Sequence, residues 1–141
     1  MNRDKTQLIN NARAFYIHII VAIFQLGVNN LTIPIIPIVF ISLVYIVCGY
    51  IFLKTVERQS YLSVISVFLI LAIVIFLCRS TGSVEMLMIY MMCNIVYANF
   101  LINNFPFIHI SVVTVLLISA IFPSIFMWFG LLIKVYLEKQ Y

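Results

Sequence analysis

The sequence predicts an all-α polytopic membrane protein, a single bundle of five transmembrane helices over residues 1–141. Three observations lead there. Apolar residues fill 65% of the positions and charged residues only 9%. A soluble domain carries about a quarter charged residues, so this chain has too little polar surface to cover a globule in water. The charges are also segregated: Arg13 and Lys54 are separated by 40 uncharged residues, Arg58 and Arg79 by 20, and Glu85 and Lys134 by 48. One helical crossing takes about 20 residues, so the runs read as two crossings, one, and two. Finally, the runs are continuously apolar, rich in Ile and Phe. Barrel strands alternate instead, whereas a helix satisfies its own backbone inside hydrocarbon.

Each element follows in order. The first span, about 12–28, is broken by Asn29 and Asn30. The second, about 33–53, carries Pro34 and Pro37 in its first turns, where helix N–H groups lack partners anyway. A short polar connection at 54–59 leads to the third span, 60–78, and the connection at 79–85 to the fourth, 84–102. The fifth, 107–133, exceeds one crossing and is expected to tilt and to bend at Pro123. The basic N-terminal stretch is followed by no small-residue cleavage motif, so the first run reads as a retained helix.

Orientation follows the positive-inside bias. With a cytoplasmic N-terminus, five crossings put Arg3, Lys5, Arg13, Lys54 and Arg58 inside, and Arg79, Lys134 and Lys139 outside. That contrast is shallow. A four-crossing bundle, with span one or span four only dipping into the membrane, is the alternative, and it returns the basic tail to the cytoplasm. The expected location is a bacterial plasma (inner) membrane.

The chemical inventory argues against an enzyme. The acids are Asp4, Glu57, Glu85 and Glu138, all near segment ends, and no His-Glu-x-x-His, Gly-x-Ser-x-Gly or Walker loop occurs. No charged residue sits mid-span, where functional ones are usually found. Cys48, Cys78 and Cys93 lie in apolar runs without Cys-x-x-Cys spacing and read as small hydrophobes, so no metal or cofactor is expected. His18 and His109 fall at one depth in a five-crossing bundle, where a pair can titrate near neutral pH. Two histidines alone do not complete a tetrahedral metal site, and the favoured reading is two interfacial imidazoles near headgroups or water. Arg79 and Glu85 read as markers of a loop mouth. The net charge of +4 is spread over short connections, which excludes a polybasic nucleic-acid surface.

Small residues mark packing faces: Ser42, Tyr45 and Gly49 in span two, and Ser60, Ser63 and Ser66 in span three. Trp128, Tyr136 and Tyr141 suit an aromatic belt at the end of span five. In span four, Tyr90, Asn94, Tyr97 and Asn104 form one stripe, whereas Asn99 lies about 140° away from Asn94. Asn94, near mid-span, is expected to face protein and to bond across helices. Gln25 and Asn29 share a face of span one.

The leading functional expectation is a non-enzymatic bundle acting through intramembrane helix contacts. An accessory or assembly subunit, or an immunity-type protein against a membrane-active toxin, fits that description. Its partners are then the lipid bilayer and a membrane protein or further copies of itself. The alternative is a small transporter or channel, oligomeric or not, with a polar path lined by Asn94, Gln25 and Asn29. A third reading is a piece of a larger permease or lipid-linked glycan enzyme.

Overall fold

The computed structural model describes residues 3–28, 35–55, 60–82, 94–104 and 112–140. They form α1 (Arg3–Val28), α2 (Ile35–Phe52), a short 3-10 helix (Ser60–Ser63), α3 (Ile65–Thr81), α4 (Ile95–Asn104) and α5 (Val112–Glu138). The described residues contain no strand. Three segments are long and apolar enough to cross a membrane: Lys5–Gly27, Ile35–Phe52 and Thr114–Glu138. Ile65–Leu77 is apolar but shorter, and α4, at 10 residues, rises only about 15 Å. The outer faces fit a membrane-embedded chain. Ile20 and Ile23 on α1, Leu43 and Val47 on α2, and Phe76 on α3 all turn outward.

Several boundaries depart from expectation; the last helix, for one, runs to Glu138, five residues past position 133. The first helix begins at Arg3, nine residues before position 12, because Thr6 and Asn10 are themselves buried. The third span does not start as an α-helix at 60; a 3-10 turn holds Ser60–Ser63, and α3 begins at Ile65. That helix also runs past 78 to Thr81 and stops at Gly82, whose φ of 67° suits the residue after a helix end. Pro123 lies buried inside α5 without ending it.

The helix directions can be read from paired residues. Asn10 meets Lys54, Arg13 meets Phe52, His18 meets Tyr45 and Phe24 meets Phe40, so α1 and α2 are antiparallel. Along α5, Phe122 and Phe126 stack on Tyr97, which bonds Ser42; Met127 backs onto Gly49; and Lys134 reaches Leu53. These pairs ascend together, so α5 runs parallel to α2. The start of α3 is tied to Asn11, near the beginning of α1. One end of the bundle therefore gathers the start of α1, the finish of α2, the start of α3 and the finish of α5. Five full crossings would place Lys134 opposite Lys54, whereas this geometry places them together.

That shared end is held by hydrogen bonds to otherwise orphaned helix termini. Arg13 Nη1 donates to Phe52 O at 2.8 Å and Lys134 Nζ to Leu53 O at 2.8 Å. Both cations also meet the negative end of the α2 dipole. Asn10 pairs twice with the Lys54 backbone, donating to its carbonyl at 2.7 Å and accepting from its N–H at 2.8 Å. Asn11 donates to Leu62 O and accepts from Ser66 N in the first turn of α3.

The α2–α5 contact is the closest in the bundle. A Cβ at Gly49 would fall on the Met127 carbonyl, and one at Gly130 on the Ile46 carbonyl and the Tyr50 nitrogen. Only glycine lets backbones approach so closely. Gly130→Ala is expected to lower stability in detergent by about 1–3 kcal/mol, the range for overpacking a filled site. Gly27→Ala, with open space around it, is expected to be tolerated. A thermal melt of both variants checks this, and equal tolerance would refute the close approach.

Candidate functional site

The polar residues of the spans are drawn inward. On α1, the buried positions recur as Asn10, Ala14, Ile17–His18, Val21–Ala22 and Gln25, one face of a helix. His18 is 3% exposed and Gln25 fully buried, so His18 is a core residue rather than the interfacial imidazole expected. On α2 the inner face carries Pro37, Ile41, Ser42, Tyr45 and Gly49, which includes the small-residue face read from the sequence. On α4 it carries Val96, Tyr97 and Ala98.

Tyr45 is the hub. Its hydroxyl lies 2.8 Å from His18 Nδ1 and accepts from Gln25 Nε2 at 3.2 Å. With Gln25 donating to the phenol oxygen, the simplest assignment has Tyr45 donating its own proton to Nδ1, which places the imidazole proton on Nε2. The Tyr45 ring stacks between His18, at 6.1 Å, and Tyr97, at 6.4 Å. Tyr97 stacks in turn on Phe122 at 5.1 Å and Phe126 at 6.2 Å, and its hydroxyl lies 3.3 Å from Ser42 Oγ. Such centroid separations fall within the favourable range for offset rings. A ladder of rings thus runs from α1 through α2 and α4 to α5, with the Tyr45 and Tyr97 hydroxyls hydrogen-bonded.

The predicted candidates divide into three groups. His18, Gln25 and Tyr97 are joined through Tyr45 and Ser42, residues the sequence suggested only as packing. Asn94 is fully buried and so faces protein; it directly precedes Ile95, the first described residue of α4. Neither atom of its carboxamide has a partner among the described residues, and neither does His18 Nε2. Tyr90, Asn29 and His109 lie outside the described residues, as does Glu85 of the proposed loop mouth. Asn104, the last member of the span-four stripe, is exposed and bonds back to Phe100 O within its own helix.

Sequence reading missed Asn10 and Asn11, because the first span was started at position 12. A signal was present: Asn11, His18 and Gln25 recur at intervals of seven, one helical stripe. It also missed Phe122 and Phe126, which are indistinguishable by type from lipid-facing phenylalanines.

Chemically the cluster holds one imidazole, phenols, a hydroxyl and amides, with no carboxylate. Among the described residues no three His, Cys, Asp or Glu side chains converge on a possible metal position. The arrangement binds helices together. Comparison with known proteins adds nothing to it: no family model, no curated protein and no solved structure matches this chain.

Interhelical hydrogen bonds in membranes average about 0.6 kcal/mol and reach about 1.7. Tyr45→Phe removes two of them and is expected to cost about 1–2 kcal/mol of stability in detergent, more than Tyr97→Phe, which removes one. Asn94→Leu loses no side-chain bond found among the described residues and buries more apolar surface, so it is expected to leave the melting temperature unchanged or raise it. The sequence-based expectation that Asn94 bonds across helices points instead to a lower melt. A melt lower for Asn94→Leu than for Tyr45→Phe would contradict the network drawn here.

Proposed function

We propose that the protein is a small, non-enzymatic, multi-pass membrane protein that works through lateral helix contacts. An accessory or assembly subunit, or an immunity-type interceptor of a membrane-active toxin, is the kind of role meant. The observation that carries this reading is that the buried polar side chains are used to tie one helix to another. His18 and Gln25 bond Tyr45, Ser42 bonds Tyr97, the Tyr45 and Tyr97 rings stack, and Phe122 and Phe126 stack against Tyr97. What faces outward is apolar: Ile20 and Ile23 on α1, and Val39, Leu43 and Val47 on α2.

The same reading takes four crossings rather than five. Since α3 leaves the shared end and α5 returns to it, the chain between them starts and finishes at the opposite end, with α4 entering the bundle without crossing it. Among the described residues, Arg3, Lys5, Arg13, Lys54, Lys134 and Lys139 then belong to the shared end and Arg79 to the other. Six against one is a much steeper charge bias than the five-crossing arrangement allows. It supports a cytoplasmic shared end, both termini included, in a plasma membrane of bacterial type.

The polar-pathway reading keeps one support: His18 Nε2 and the Asn94 amide are buried without partners among the described residues. The two readings separate experimentally. Photo-crosslinkers at Ile20 and Leu43, both outward, are expected to give one discrete protein adduct in membranes, matched by a complex of constant mass in mild detergent. Purified protein in liposomes is expected to pass neither ions nor solutes. Lipid adducts alone, together with flux that Asn94→Leu abolishes in a folded protein, would overturn the contact reading in favour of transport.

A further inference from the structure

At the shared end, an open groove of about 720 Å³ lies between the last turns of α2 and α5, lined by Tyr50, Ile51, Lys134, Leu137 and Glu138. Its charges are arranged rather than scattered. Lys134 is half-buried and anchored by its bond to Leu53 O at 2.8 Å, which uses one of the three ammonium N–H groups. Glu138 follows one helical turn later, about 6 Å along the axis, is exposed, and forms no ion pair among the described residues. The Tyr50 ring, Ile51 and Leu137 supply aromatic and apolar wall, all partly open to the surroundings.

We propose that this groove seats the headgroup of a phosphoethanolamine lipid. The phosphate lies on the Lys134 ammonium and the Tyr50 hydroxyl, the primary ammonium on the Glu138 carboxylate, and an acyl chain along Ile51 and Leu137. The charge order selects this headgroup. A purely anionic headgroup would bring its phosphate to Lys134 with no ammonium of its own to meet the Glu138 carboxylate. A choline headgroup carries a quaternary nitrogen with no N–H to donate to the carboxylate. The inference rests on the membrane-crossing reading, which sets the shared end at headgroup depth.

The test uses the full chain extracted in mild detergent. Native mass spectrometry follows retention of added phosphatidylethanolamine, phosphatidylcholine and phosphatidylglycerol with identical chains. The ethanolamine lipid is expected to be retained about threefold over each of the others, the worth of one exposed ion pair. Glu138→Gln is expected to erase the preference over choline without moving the melting temperature. Lys134→Gln and Tyr50→Phe are expected to weaken all three lipids together, since each carries the phosphate. Because Lys134 also caps α2, Tyr50→Phe keeps the phosphate arm readable if Lys134→Gln fails to fold. Lys139→Gln, outside the groove lining, is expected to change nothing. Equal retention of the three lipids, tighter glycerol lipid, or a preference that survives Glu138→Gln would overturn the proposal. Recovery of the chain in the soluble fraction without detergent would instead sink the membrane-crossing reading itself.

Discussion

The carboxyl end of α2 is the constraint on which the rest of the structure depends. A helix leaves its last carbonyls without internal partners, and near hydrocarbon water cannot be relied on to supply them. Here they are met by side chains from two other helices: Arg13 on Phe52 O, Asn10 on Lys54 O and Lys134 on Leu53 O. Satisfying those atoms fixes α1 as antiparallel to α2 and α5 as parallel to it. Asn11, next to Asn10, then fastens the opening turn of α3 to the same end. One set of backbone requirements thereby places four helix ends together.

The seam and the core extend from that anchor. Gly49 and Gly130 let α2 and α5 approach until backbone meets backbone, which brings Tyr45 and Phe126 to the same depth on either side of Tyr97. Where no hydrophobic force draws helices together, close packing and interhelical bonds must do so. The ring ladder supplies the packing, and the Tyr45 hydroxyl supplies the bonds. Asn94 stands apart within this core, its carboxamide buried at the head of α4 with no partner among the described residues.

Much of this was legible in the sequence. Charge-free runs and continuous apolarity signalled helices of membrane length, and the Ser42–Tyr45–Gly49 spacing signalled the packing face of α2. The inward placement of Asn94 was also readable from its spacing to Tyr97. What escaped has a common cause: in the sequence, polar residues read as marks of a span's limit. Asn10 and Asn11 looked like tail because they are amides beside Arg13, yet their amides complete the ends of α2 and α3. His18 looked interfacial because it lies five residues from Arg13, yet α1 starts well before that arginine. Lys134 looked like the mark of the opposite membrane face because counting crossings treats every apolar run alike, yet its ammonium reaches Leu53 O at the end of α2. The groove between Tyr50 and Glu138 joins residues far apart in the chain, which no local pattern reveals.

The central claim is that the start of α1 and the finish of α5 share one end of the bundle. Single cysteines at Lys5 and Lys139, with Cys48, Cys78 and Cys93 replaced by alanine, can be labelled with a membrane-impermeant maleimide in oriented vesicles, with Ser80→Cys as the opposite-end reference. The account predicts that positions 5 and 139 label from the same side and position 80 from the other. Labelling of 5 and 139 from opposite sides would contradict it.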